Sequence, residues 1–396
     1  MTKYSFPHLP LLEPSEFNLR AEKVRKAMKN YGLTNGLITG NSNKYYLTGR
    51  VFAGYIYISP EEIRYYVKRP VELEGENILY IRKPEDIKLD VNEIALELDE
   101  LPYSSAIRLC KVFNDPNPGN LSTALAEARA VKTEKEIEEL IYSGKKQSIV
   151  YSRIPELYKP GMTDIGFQIE IERESRLEGC LGQFRISGDS MELFMGNVIA
   201  GDNADAPSPY DFAMGGAGLN PSIPVGANGT VIKDGMAVMV DVNGNYDGYM
   251  TDMTRVFCLG EISEKALKAH RCSIDIHRLL QKEGKPGVKA SDLFDMAIEL
   301  VKSEGLENYF MGHRQHAGFI GHGVGIEINE RPVIAPRSRD ILKENNVIAL
   351  EPKFVIPGTG AVGNENTFVV RPEGMECITL CDEEIIDLQT IHKRYI

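Results

Sequence analysis

MVDVNGNYDGYMTDMTRVF, residues 239–257, reads as two strands joined by a turn. Apolar residues lead into Asp241, the run NGNYDG is dense in turn formers, and YMTDMTRVF returns as the second strand. Each arm interrupts its apolar run with one acid, Asp241 on the first and Asp252 on the second. A carboxylate buried in a strand needs a counter-charge, and a divalent cation supplies it more completely than a lone Lys or Arg. Asp247, inside the turn, is explained by bonding to turn amides and is set aside. The same design returns in VIALEPKFVIPGTGAVGNENTFVV, residues 347–370. There Glu351 closes an apolar strand, PGTGAVGN makes the turn, and Glu365 sits early on the return strand.

Between the two acid-bearing hairpins lies GHGVGIEINE, residues 321–330, with His322 flanked by glycines. Glycines allow a close approach of backbone and ion, and a neutral imidazole offers a nitrogen ligand. Four carboxylates and one imidazole make a hard, oxygen-rich site suited to Mn, Co, Fe or Zn. Two ions are expected, because bridging carboxylates serve both. Such a pair generates hydroxide near neutral pH and polarises a carbonyl, so the expected chemistry is hydrolysis of an amide-like bond.

Upstream, a long helix is expected from Thr133 to residue 158, where Thr133 and Glu136 have capping-box spacing. KPGMTD at 159–164, followed by a helical stretch, is echoed by KPGVKASD at 285–292, itself preceded by a helical segment at 263–282. Two α+β halves related by pseudo-symmetry would set their carboxylate pairs face to face. Further toward the N-terminus, an amphipathic helix is expected over residues 15–31, ended by Gly32. Short β-rich runs follow: GLITG at 36–40, YYLT at 45–48, YIYIS at 55–59, IRYYVK at 63–68 and NILYIR at 77–82. They suggest a small α/β domain. NDPNPGN at 114–120 is too rich in turn formers for a regular element, and the domain boundary is placed at 128/129.

A chain of 396 residues exceeds one ordinary core, in line with two domains. Fifty-seven acidic against 45 basic residues give a net charge of -12, which opposes nucleic acid or an anionic membrane as the main partner. No apolar run approaches the roughly 18 residues that span a bilayer, and no signal peptide is read at the N-terminus, so the cytoplasm is the expected location. The six scattered cysteines are read as reduced and structural.

These residues resemble the pita-bread metallopeptidases: Xaa-Pro dipeptidase, aminopeptidase P, methionine aminopeptidase and the metal-free relative creatinase. YYLTGR at 45–50 looks like the signature of the N-terminal domain, RAVKTEKEIEELI at 129–141 resembles the entry to the catalytic domain, and the five ligand motifs stand in family order. The resemblance implies an α+β chain with a creatinase-like α/β domain at 1–128 and a pseudo-symmetric pita-bread catalytic domain at 129–396. It implies metal ligands Asp241, Asp252, His322, Glu351 and Glu365, with Asp252 and Glu365 bridging and Glu351 doubling as general acid/base. A homodimer is usual in the family.

The chain departs from the family pattern at four places. Asn329 stands where a second His is usual, Gly318 replaces another, no His occurs between His8 and His270, and Gly363 occupies the place of an Arg. His316 and Arg331 are candidates to take over the lost functions, and Asn329 can still donate a hydrogen bond. The loop-like run at 201–224 stands where the upstream His would be, with Tyr210 and Asp211 as candidate substrate contacts. The expected activity is an Xaa-Pro exopeptidase. The alternatives are a metal-dependent hydrolase or lyase acting on a small non-peptide substrate, and a non-catalytic binding protein on the same fold.

Overall fold

A computed structural model describes residues 7–186, 195–210 and 214–389. The chain divides into two compact units, Met1–Thr133 and Glu134–Ile396. In the first, the strand Gly36–Ile38 is apolar throughout and pairs on both edges, antiparallel to Ala53–Ile58 and parallel to Ala95–Leu96. Ile63–Arg69 and Ile78–Tyr80 extend the sheet on one side and Gly119–Asn120 on the other, giving six strands. The opening helix is Pro14–Asn30, with Arg20, Ala21, Val24, Ala27 and Met28 on its buried face. YYLT is not a strand but the end of a helix, Asn41–Thr48. Its aromatic residues favour a strand, yet the buried Glu97 carboxylate accepts hydrogen bonds from the Gly40 amide at 2.7 Å and from the Asn43 side chain, fixing a helical first turn. Gly49 then ends the helix in the left-handed region at φ 69°, donating to the Tyr45 carbonyl.

The second unit is built twice over. Helices Glu134–Leu157 and Asp164–Leu177 form one pair, and Glu264–Glu283 and Ala290–Ser303 form the other. Where each second helix begins, the chain bridges to a segment leading into a strand, Thr163 to Val231 and Lys289 to Ile341. The hydrogen bonds correspond: Ile232 N donates to Met162 O and Leu342 N to Val288 O, at 3.0 and 2.8 Å. From these points VIKDGMAVMVD at 231–241 and ILKENNVIALE at 341–351 run in parallel, with Gly235 and Asn345 both at positive φ, 81° and 66°. Asp241 therefore corresponds to Glu351. DMT at 252–254 and ENT at 365–367 correspond in the same way.

Each half carries its own sheet. The order is Ile386–Asp387, Thr254–Cys258, Ala237–Val242, Gly196–Ala200 in one, and Glu330–Ile334, Gly321–Gly323, Val347–Leu350, Asn366–Arg371, Gly374–Cys377 in the other. In the second half the helical spacing of Ala266, Ala269, Ile276 and Leu280, and of Leu293, Ala297 and Val301, makes apolar stripes that join Ile348, Leu350, Phe368 and Val370 in one core. In the first half Tyr151, Ile154, Phe167 and Ile171 pack with Val238, Val240 and Val242. The alternate residue Met239 turns instead to Ile199, Val355 and Ala361. The strand is thus covered on both faces, which explains why it is apolar from Ala237 up to Asp241.

Helix Glu134–Leu157 passes so close to the chain at Ile378 that a Cβ on Gly144 would stand 2.3 Å from the Ile378 carbonyl oxygen. On an exposed helix Gly→Ala gains about 1 kcal/mol. Gly144→Ala is expected instead to lose about 1–3 kcal/mol through overpacking, measured by urea unfolding; a gain in stability would contradict the close approach.

Candidate metal centre

Thr254 is the residue on which the two halves meet. It pairs with Asp241 across the first sheet and forms an isolated antiparallel bridge with Glu365. Backbone bonds run both ways, Thr254 N to Glu365 O at 3.3 Å and Glu365 N to Thr254 O at 3.2 Å. The side chains cross over as well: Thr254 Oγ1 donates to Glu365 Oε2 at 2.8 Å, and the corresponding Thr367 accepts from the Asp252 amide and donates to the Asp252 carbonyl at 2.9 and 2.8 Å. Asp252 lies in the short link between strands Met250–Thr251 and Thr254–Cys258, rather than within a strand. His322 comes from the strand Gly321–Gly323 and Glu351 from the residue after Val347–Leu350, with Gly321 paired to Leu350.

Asp241, Asp252, His322, Glu351 and Glu365 are thereby brought together. Their ligand atoms form two trios, Asp252 with His322 and Glu365, and Asp241 with Glu351 and Glu365, each with all atoms within 4.8 Å of one another. The His322 Nδ1 lies 3.1 Å from the Gly323 carbonyl, and donation there leaves the Nε2 lone pair facing the acids. The first trio has the donor chemistry of a divalent ion site.

The second trio contains a side chain that the sequence reading did not single out. Lys353 Nζ donates to Asp241 Oδ2 at 2.7 Å, Glu351 Oε2 at 2.9 Å and Glu365 Oε2 at 3.0 Å. Burial pushes the Glu351 carboxyl up, but Lys353 and the His322 imidazole, 3.4 Å away, outweigh it and hold it down at about 2. Burial pushes Glu365 up to about 8 even against Lys353, with Glu351 adding to the rise. Asp252 is driven well up by burial and then by Glu365. Burial alone would lower His322, yet Glu351 keeps its pKa above the ordinary value.

The first helix of each pair clamps the acid-bearing segments from behind. Gln147 Nε2 donates to Val242 O at 2.6 Å while its Oε1 accepts from Thr251 Oγ1, and the Tyr151 hydroxyl accepts from the Val242 amide. In the other half, Ser273 Oγ accepts from Asn364 N at 3.0 Å and His270 Nδ1 accepts from Gly363 N at 3.2 Å. His277 Nε2 donates to the Leu350 carbonyl at 2.8 Å, next to Glu351. The buried Arg255 guanidinium reaches Glu365 O at 2.9 Å and Asn366 Oδ1 at 2.8 Å. All are fixed by tertiary packing.

The sequence model of metallopeptidase family M24 matches residues 138–372, a span that holds every one of these site residues. The chain belongs to family M24. Among relatives, a Bacillus subtilis peptidase, YqhT, is 26% identical over 385 residues, covering 93% of this chain and 100% of its own. The Xaa-Pro dipeptidase of Pyrococcus furiosus is 26% identical over 380 residues, covering 93% and 99%. The crystal structure of the prolidase from Pyrococcus horikoshii OT3 superposes with a TM-score of 0.77 at 22% identity, over 93% of this chain and 99% of that one. The fold is therefore α+β, a creatinase-like unit followed by the pseudo-symmetric pita-bread unit of M24 enzymes.

Asp205 accepts from Arg314 N at 2.9 Å and faces His313, and Gln315 bonds Ser208, so the segment bearing Tyr210 is tied to the one bearing His316. His316 is exposed with Nδ1 at 2.8 Å from Phe310 O, and Tyr210 is half-buried. Asn329 is exposed, and Arg331 donates through Nε to Asp340 Oδ1 at 2.9 Å. Asp211 lies outside the described residues. Gly363 has a positive φ of 121°, and a Cβ there would stand 2.6 Å from Pro352 O and 2.9 Å from Lys353 Cα. A side chain at that position would require the neighbouring backbone to shift.

His277 yields a pH signature. Burial lowers its pKa to about 4, and Nδ1 is buried without a partner. Below an unfolded value near 6.5 the unfolded chain takes up a proton that the folded chain refuses, so stability is lost as pH falls from about 6.5 toward 4. At pH 5 this contribution is about 2 kcal/mol. His277→Gln keeps a donor for Leu350 O and cannot titrate. Urea unfolding at pH 7.5 and 5 is expected to show that much more loss in the wild type than in the variant, and equal losses would refute the assignment.

Proposed function

We propose that this protein is a metal-dependent Xaa-Pro exopeptidase of the prolidase or aminopeptidase P type. The observation that carries the reading is the convergence of Asp241, Asp252, His322, Glu351 and Glu365 in a chain of the M24 family. Xaa-Pro dipeptidases among the relatives support a peptide substrate over the small non-peptide alternative. These five residues are proposed as the ligand set for divalent metal, with Mn first among Mn, Co, Fe and Zn. When bound, metal lowers the pKa of a water and polarises the scissile carbonyl.

Glu351 is the proposed general acid/base. Its Oε2 is held by Lys353 at 2.9 Å while Oε1 faces His322, so one oxygen is anchored and the other is placed to take a proton from the attacking water and pass it to the leaving nitrogen. Tyr210, His316 and Asn329 are proposed substrate contacts, supported by the bonds that join their segments or by their exposure. Arg331 would act there only by leaving Asp340. A cytoplasmic homodimer is the proposed setting, supported by six free thiols, the net charge of -12 and the family habit.

The test is hydrolysis of Xaa-Pro dipeptides and Xaa-Pro-Yaa tripeptides by protein loaded with Mn2+ or Co2+. Cleavage is expected. Glu351→Gln should lower kcat by about 10²–10⁴-fold, and Asp252→Ala should abolish turnover. Dipeptides alone as substrates would mark a dipeptidase, and tripeptides an aminopeptidase. A folded, metal-loaded protein that cleaves neither would overturn the proposal.

A further inference from the structure

Lys353 is fully enclosed, with 0% of its side chain exposed, and its ammonium stands within the acid cluster. An ammonium has three N–H donors, and each here meets a different carboxylate at 2.7, 2.9 and 3.0 Å. These are the lengths of charge-assisted hydrogen bonds. The three acids are the whole of one trio, Asp241, Glu351 and Glu365, in which a divalent ion would seek the same oxygens. An ion there would lie against a fixed positive charge in a buried place, where repulsion is screened least. The second trio does not fit a metal ion while Lys353 is in place.

The position of Lys353 is set by its backbone. Its carbonyl accepts from Met311 N at 2.8 Å, and the next residue, Phe354, pairs with Val362 in a small hairpin. Gly363 leaves the room this requires, because a Cβ there would come within 2.9 Å of Lys353 Cα. The lysine and the glycine that departs from the family pattern are thus two parts of one arrangement. The residue corresponding to Lys353 in the other half is Asn243, which is uncharged, so the repeat places the ammonium on one side alone. Four carboxylates against one ammonium leave charge for one further divalent ion, and Asp252, His322 and Glu365 form the trio to hold it.

We propose that this chain is a mononuclear member of its family, binding one divalent ion at Asp252, His322 and Glu365, with the Lys353 ammonium permanently in place of a second. The inference rests on the metal-dependent reading given above, and it recasts Asp241 and Glu351 from metal ligands to anchors for Lys353, with Glu351 keeping its acid/base role.

The test is the stoichiometry of Mn2+ bound to metal-stripped full-length protein, by equilibrium dialysis with elemental analysis, together with Mn2+ electron paramagnetic resonance. One ion per chain and an uncoupled spectrum are expected. Lys353→Ala should raise the count to two with a spin-coupled pair. Asp241→Asn should leave it at one, whereas in a dinuclear site it would fall from two to one; this second variant keeps the test decisive if Lys353→Ala does not fold. Two ions in the wild type, or none, overturn the proposal. Two ions with cleavage of Xaa-Pro peptides would leave the proposed function standing and remove this inference alone. One ion without cleavage would do the reverse.

Discussion

Four carboxylates gathered in a buried space repel one another and have lost their water, and everything else in the catalytic unit is arranged around that constraint. Lys353 answers part of it from within the chain, with an ammonium shared among Asp241, Glu351 and Glu365. The effect is uneven: Glu351 is held down at about 2, while Glu365 rises to about 8. Both carboxyls touch the same ammonium, yet burial outweighs it at Glu365, while at Glu351 Lys353 and the His322 imidazole together outweigh burial. Such separation of carboxyl groups is what acid/base work on a peptide bond requires.

The scaffold makes the gathering possible by holding the acids from behind. In each half a helix reaches past its own core and uses polar side chains, Gln147 and Tyr151 on one side and His270, Ser273 and His277 on the other, to satisfy the backbone where the strands open toward the site. Buried backbone groups at a strand end must find partners. Here the same bonds that satisfy them fix the direction of the acid beside them.

The alternation of apolar runs and turn formers was enough to find both hairpins, and the acids that break those runs proved to be the ones that converge. The KPG echo pointed to two related halves. The full correspondence of 231–241 with 341–351 emerged only with the matched bridges from Thr163 and Lys289. YYLT misled because its helix is imposed by Glu97, some fifty residues away in the sequence, against local preference. Lys353 was visible as a charge set in ALEPKFVI, an apolar context, but its meaning depends on a convergence of three segments that no local pattern records. Gly363 read as a lost function, whereas in space it is the room that another residue needs.

The exchange of threonines between the halves bears on ancestry. Thr254 serves Glu365 and Thr367 serves Asp252, so each half completes the acid pair of the other. A half standing alone would offer its hydroxyl to nothing and leave its own acid-bearing link unsupported. Only two such halves facing one another close the circuit, which is the logic of a symmetric dimer. Once the two copies are fused into one polypeptide, the symmetry no longer has to be kept. One side is then at liberty to acquire a lysine where the other retains an asparagine, a divergence that identical subunits could never express.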